Sequence, residues 1–259
     1  MPLNPPITDW KGKRCWIVGA STGIGAALAD LLAAKGARVA LSARRAQPLE
    51  RMAARYGEGN ALVLPLDITD AAALESAALA IDTAWKGIDL VVPMAGEYKP
   101  MRATDIDLDV ARTMIEVNLV GYLNVCAAVV PRMLRQQSGT ISLVSSVAGY
   151  RGLPKSLIYG PTKAALINLA ETMYLDLQPR GVAVSVINPG FVKTPLTAQN
   201  EFEMPNIITP EEAADEIVKG LAAGEFEIHF PKAFSRKLKL LRLLPYGMYF
   251  NAIRKSTGL

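Results

Sequence analysis

The sequence predicts a doubly wound α/β fold, a parallel sheet between two helical layers, in a single domain with a basic C-terminal tail. Three observations carry this. Short, nearly unbroken apolar runs recur along the chain, each is followed by a longer stretch with helical spacing, and the intervals between runs are too long for hairpins. The 259 residues, 51% hydrophobic and 20% charged, suffice for one large core. No repeat period or low-complexity linker divides them.

Arg14 to Val18 is the first strand, running into glycine, and Ala26 to Ala34 is the first helix, stopped by Gly36. The alternation continues as a strand at Arg38 to Ser42, a helix at Gln47 to Tyr56, a strand at Ala61 to Leu66, a helix at Ala71 to Trp85 and a strand at Leu90 to Val92. Long helices are expected at about Asp107 to Arg135 and Leu157 to Gln178, with strands at Thr140 to Val144 and Val182 to Ile187. Phe226 to Phe230 adds an edge strand, so residues 1–230 form the body and 231–259 an extension.

Composition excludes several classes. Cys15 and Cys126 lie far apart in a chain read as lacking a secretory leader, which predicts a reducing, cytoplasmic setting without a disulfide framework. One histidine, His229, rules out a metal site built on histidine pairs, and no metal is expected. His229 is expected to be structural and Cys126 a small buried hydrophobe. The longest uncharged apolar run, Val117 to Pro131, is broken by Asn118, Gly121 and Asn124 and falls short of the roughly 20 residues of a membrane span. The net charge of +4 resides in the tail: seven of the 28 basic residues follow Glu227 and no acidic one does, leaving 21 basic against 24 acidic up to and including it. That describes a tail rather than a nucleic-acid-binding face, so no nucleic-acid partner is expected.

Between the first strand and helix stands Gly19-Ala20-Ser21-Thr22-Gly23-Ile24-Gly25. Such glycines permit a tight turn and let a pyrophosphate approach the backbone at the positive end of a helix. The spacing departs from the common GxGxxG fingerprint, and an unliganded turn remains the alternative. About 20 residues on, where an NAD site offers a carboxylate to the ribose, the chain has Ser42-Ala43-Arg44-Arg45. A guanidinium binds a 2′-phosphate that a carboxylate repels, so NADP is expected in preference to NAD, with Arg44 the contact.

Tyr159 and Lys163 are spaced four apart at a helix start and share a face, and Ser146 follows the strand Thr140 to Val144. A strand end and a helix start meet at the ligand-binding edge of a parallel sheet. With these residues in place, the chain resembles the short-chain dehydrogenase/reductase family, a Rossmann-fold family, up to about Phe230. The resemblance implies a catalytic tetrad of Asn118, Ser146, Tyr159 and Lys163. It implies a cofactor site of Gly19, Ser21, Thr22, Gly23, Ile24, Gly25, Arg44, Asp67, Ile68, Ala95, Gly96, Tyr159, Lys163, Pro189, Gly190, Val192 and Thr194. Asp67 matches the adenine-contacting aspartate, and Lys163 would also hold the nicotinamide ribose.

The implied activity is NADP-dependent hydride transfer to a ketone, or from a secondary alcohol, with Tyr159 as general acid/base and Ser146 donating to the substrate oxygen. Lys163 is expected to lower the Tyr159 pKa, and Asn118 to position a water leading to solvent. A non-catalytic dinucleotide sensor is the alternative. Pro93-Met94-Ala95-Gly96 stands where the family commonly has Asn-Asn-Ala-Gly, which puts the bracing of the sheet edge in doubt. The pocket cover, Pro195 to Thr209, mixes Leu196, Phe202, Met204 and Ile207 with Glu201 and Glu203 and suggests an apolar substrate. The resemblance implies a homodimer or homotetramer.

In the tail, a helix over Phe234 to Leu244 would gather Phe234, Leu238, Leu240, Leu241 and Leu244 opposite Arg236, Lys239 and Arg242, with Lys237 and Leu243 as exceptions. The apolar side either packs on the body or a neighbouring subunit, or makes peripheral contact with a membrane and brings the pocket near lipid-like ketones.

Overall fold

The computed structural model describes residues 1–199 and 204–258. Seven parallel strands form one sheet: β1 (Arg14–Val18), β2 (Arg38–Ser42), β3 (Ala61–Val63), β4 (Leu90–Pro93), β5 (Thr140–Val144), β6 (Ala183–Pro189) and β7 (Glu227–Phe230). Their order is β3-β2-β1-β4-β5-β6-β7. The chain winds outward from β1 in one direction and then crosses to β4 on its other side. The crevice between β1 and β4 is therefore the switch point where open α/β sheets bind ligands.

The helices are α1 (Gly23–Ala34), α2 (Ala46–Ala53), α3 (Ala71–Trp85), α4 (Leu108–Ile115), α5 (Gly121–Gln136), α6 (Tyr159–Leu177), α7 (Pro210–Ala222), α8 (Lys232–Arg242) and α9 (Tyr246–Thr257). α1 packs on α7, and α3 on α5, so both sheet faces are covered. That is why β1, β4, β5 and β6 are buried almost throughout and read as mainly apolar runs. Sequence signals set the helix ends: Asp70 accepts from the Ala73 N–H at 2.9 Å to open α3, and Thr209 and Glu212 form a capping box on α7.

Two elements differ most from expectation. β3 ends at Val63 rather than Leu66, since Pro65 has no N–H for the ladder. The long helix is divided into α4 and α5 by a π turn at Glu116–Val120, which adds a residue to the turn and buries Asn118. Read as one piece, Leu108–Gln136 is long and apolar enough to cross a membrane, unlike the shorter run read from the sequence. Here it packs as a covering helix: a Cβ on Gly121 would stand 2.8 Å from Ile68 Cγ2.

Candidate active site

The β1–α1 loop is shaped by its glycines. Gly19 has φ +106°, and a Cβ on it would lie 2.5 Å from the Ala95 nitrogen. A Cβ on Gly25 would overlap the Gly19 carbonyl. Gly23 has φ +59°, and a Cβ there would meet Thr194 Cγ2 at 3.0 Å, which brings the segment after β6 against this loop. The Gly19 and Ala20 N–H groups donate to the Ser42 carbonyl at 2.7 and 3.0 Å, tying the loop to the end of β2.

Thr22 caps α1 without a side-chain hydrogen bond, and the first turn has no acidic residue, so the helix presents its N–H groups and positive end to the loop. Arg44 and Arg45 are exposed just beyond β2. Asp67 accepts from the N–H and hydroxyl of Thr69, both at 2.9 Å. Thr69 holds its carboxyl below the usual range, and the charge of Arg44 adds to this. A glycine cradle, an uncapped helix start and a nearby guanidinium suit an anionic dinucleotide.

At Met94 the bracing is done by the backbone. Met94 and Ala95 N–H both donate to the Val18 carbonyl, at 2.7 and 2.9 Å, bracing the end of β4 against β1. Asn118 adds a second brace: its Oδ1 accepts from the Glu97 N–H at 2.8 Å and its Nδ2 donates to the Glu97 carbonyl at 2.7 Å. The implied water-positioning amide thus holds the loop after β4, because the π turn aims its side chain there.

Ser146, Tyr159 and Lys163 converge at the ends of β5 and α6. Ser146 Oγ accepts from the Ala148 N–H at 3.1 Å, capping the turn Val147–Gly149, and reaches the Pro189 carbonyl at 3.3 Å. Burial pushes the Tyr159 phenol up to about 12, and a hydrogen bond from Ser146 pulls it down. A single hydroxyl proton cannot serve Pro189 and Tyr159 together. Pro161 is accommodated because it lies in the first turn of α6.

Lys163 is 3% exposed, and burial brings its ammonium down to about 7. Its Nζ donates to the Val144 carbonyl at 3.0 Å and lies 5.6 Å from the Tyr159 ring centre and 5.2 Å from that of Tyr122. The hydrogen bond that draws the Tyr159 phenol down comes from Ser146, while Lys163 donates to the backbone at the end of β5.

Sequence reasoning missed Tyr98, Tyr122 and Glu227. Tyr98 meets the Tyr159 ring edge-on at 5.0 Å, and the buried Tyr122 hydroxyl donates to the Ala95 carbonyl at 3.1 Å. Beside Tyr159, Met101, Ala111, Met114 and Leu157 form a small apolar cluster. The available signal for Tyr98 was its place in the loop after the fourth strand, at the ligand-binding edge.

After β6, Gly190 lies so close to α8 that a Cβ would meet Phe234 at 3.0 Å, and Val192 bridges to Ile208. Ile207 is exposed; Glu201, Phe202 and Glu203 of the expected cover lie outside the described residues. One Glu227 oxygen accepts from Tyr150 at 2.6 Å and Asn188 at 2.8 Å, while the other pairs with Lys239 of α8 at 2.6 Å. Glu227 thereby links the tail to the segments beside Ser146 and Pro189. Glu227→Gln is expected to cost about 1.5–3 kcal/mol, the value of hydrogen bonds to a charged group, read by urea denaturation. Unchanged stability would show that the hub is idle.

His229 Nδ1 lies 2.7 Å from Ser235 Oγ, and burial and then the Lys239 charge bring its pKa down to about 4. Cys126 is buried with its thiol pushed up to about 12. No metal-binding cluster occurs among the described residues.

Comparison with known proteins gives a consistent result. The short chain dehydrogenase family model matches residues 13–204. An uncharacterized oxidoreductase of Myxococcus xanthus (strain DK1622) is 34% identical over 251 residues, covering 96% of this chain and 99% of that protein. Since only 4% of the chain is left out, this likeness extends into the tail, beyond the limit near Phe230 read from the motifs. An uncharacterized oxidoreductase of Staphylococcus aureus (strain USA300) is 31% identical over 215 residues, 83% of this chain and 92% of that protein. The crystal structure of a short chain dehydrogenase from Burkholderia cenocepacia J2315, in complex with NADP, superposes with a TM-score of 0.83 at 25% identity over 95% of this chain and 99% of that one. A seven-stranded parallel sheet with these motifs and relatives identifies the chain as a member of the short-chain dehydrogenase family of oxidoreductases.

Proposed function

We propose that the protein is an NADP-dependent oxidoreductase acting on a ketone or secondary alcohol, with Tyr159 as general acid/base. The observation that carries this is the convergence of Ser146, Tyr159 and Lys163 at the sheet edge that also holds the glycine loop. NADP(H), when bound, supplies the hydride for reduction or accepts it in oxidation. In reduction, Tyr159 gives its phenolic proton to the substrate oxygen, while the Ser146 hydroxyl donates a hydrogen bond to the same atom. Lys163 spends one N–H on Val144 and keeps two, which can hold the ribose and stabilise the phenolate that Tyr159 becomes. Oxidation runs the same transfers in reverse.

Gly19, Ser21, Thr22, Gly23, Ile24 and Gly25 would hold the cofactor's pyrophosphate, and Asp67 and Ile68 would face its adenine. Ala95 and Gly96 would line the cofactor, and Pro189, Gly190, Val192 and Thr194 its nicotinamide side. The apolar cluster beside Tyr159 favours an apolar substrate. Exposed Leu123 and Leu175 on α5 and α6 support a homodimer or homotetramer built on these helices.

The test is a panel of carbonyl substrates with NADPH and NADH, followed by nicotinamide absorbance. Turnover with NADPH supports the proposal; tight NADPH binding with no turnover on any carbonyl would favour a sensor. A second measurement addresses the choice of cofactor. The exposed Arg44 guanidinium is assigned to the 2′-phosphate, and one such charged hydrogen bond is worth about 1.5–3 kcal/mol. Arg44→Ala should therefore erase roughly 10- to 100-fold of the NADPH preference, read from dissociation constants for both cofactors. Equal affinities in the unmodified protein would refute the assignment. If only the paired substitution with Arg45 has an effect, the contact is Arg45.

A further inference from the structure

The C-terminal helices present a second surface, distinct from the nucleotide cleft. α8 turns its Phe234, Ser235 and Leu238 toward the body, with Phe234 5.4 Å from the ring of Phe191. Lys239, expected on the solvent side, is drawn inward by Glu227, and Leu240, expected inward, points out. The reason is that the buried face is centred on the contacts to β7 and Gly190 rather than on the sequence's apolar average.

What remains outside is both apolar and cationic. Leu240 (66% exposed), Leu243 (79%), Tyr246 (70%), Met248 (59%) and Phe250 (51%) lie close together in the chain. Arg236, Lys237, Arg242, Arg254 and Lys255 are exposed on the same two helices, and among the described residues none of these five pairs with a carboxylate. No acidic side chain follows Glu227.

This surface is firmly mounted. Arg151 donates to the Leu241, Arg242 and Leu244 carbonyls at 3.3, 3.1 and 2.7 Å, closing the end of α8. Its guanidinium also stacks 4.1 Å from the Tyr249 ring centre, and the Tyr249 hydroxyl donates to the Gly152 carbonyl at 2.7 Å. Because β7 is parallel to the other strands, the tail begins at the sheet edge where Ser146 and Tyr159 lie.

We propose that this face of α8 and α9 docks on an anionic lipid bilayer. Charge complementarity decides the occupant. A second copy meeting this face through a two-fold axis would set the same cations against themselves. An anionic bilayer instead offers negative headgroups to the five cations and hydrocarbon to the intervening Leu, Met and aromatic side chains. The proposal does not depend on the reaction catalysed, and its test requires neither cofactor nor substrate.

The test is sedimentation of the full chain with vesicles of mixed phosphatidylglycerol and phosphatidylcholine, at low and high sodium chloride. Binding is expected at low salt, with release at high salt and little binding to phosphatidylcholine alone. Each cation near such a surface contributes about fivefold, so R236Q/K237Q/R242Q should weaken partitioning roughly 100-fold. L240S/L243S/M248S should weaken it as well, with thermal unfolding of both variants unchanged because the altered side chains are exposed. Absence of sedimentation, or equal sedimentation of wild type and both variants, overturns the proposal. So does full competition by free glycerol phosphate, which would mark a simple anion site. Binding to polyglutamate but not to vesicles would point to an acidic protein, and loss of self-association in the variants without vesicle binding would mark an interface between copies. Either result overturns it.

Discussion

Tyr159→Phe is expected to abolish most turnover while leaving NADPH affinity and thermal stability close to those of the unmodified protein. The substitution removes one oxygen and keeps the ring, which packs against Tyr98 and the Met101 cluster, so neither core nor cofactor cleft changes shape. What is lost is the proton donor, and a positioned general acid or base typically contributes about 100- to 10,000-fold. The expected outcome is a fall in kcat of that size with little change in the dissociation constant for NADPH, measured by fluorescence. Near-normal kcat on any substrate found in the carbonyl panel would remove Tyr159 from the role.

Lys163→Met is expected to be nearly as damaging to turnover and, unlike Tyr159→Phe, to weaken cofactor binding, because the ribose contact and the cation beside Tyr159 disappear together. Its effect on stability should have the opposite sign, and pH reveals it. In the unfolded chain Lys163 titrates at the ordinary 10.5, whereas burial in the fold brings it to about 7. Between these values the unfolded state binds more protons, so stability rises with pH across the window. Below about 7 both states carry the charge, and the full cost of burying it is present. At about 1.36 kcal/mol per pH unit the whole interval is worth on the order of a few kcal/mol. Methionine removes that dependence but leaves the Val144 carbonyl without a donor, a loss of about 1–3 kcal/mol. Near neutral pH the removed cost of burial exceeds the lost hydrogen bond, so the variant should be the more stable there and show a flatter stability profile between pH 7 and 10, measured by urea unfolding. An equally steep profile in the variant would show that Lys163 is not the titrating group.

The sequence alone was sufficient for the parallel α/β class and for the positions of Ser146, Tyr159 and Lys163, since both follow from local rules. Strands buried on two faces must be apolar throughout, and a strand end followed by a helix start must lie at one sheet edge. It was sufficient too for the glycine loop, where Gly19 and Gly25 leave no room for a side chain. What it could not reveal depends on partners distant in the chain. The bracing of Met94 comes from a carbonyl on β1, and the orientation of Asn118 from a π turn that no periodicity announces. The pKa of Tyr159 is set by burial and by Ser146, thirteen residues away, while Lys163 turns to the end of β5. In the tail, the apolar pattern identified a helix and placed Phe234, Leu238, Leu241 and Leu244 on its more buried side, but it missed that one carboxylate on β7 draws Lys239 inward while Leu240 lies out in solvent. Helical spacing records which residues share a face; only packing decides which face a charge and its partner will bury.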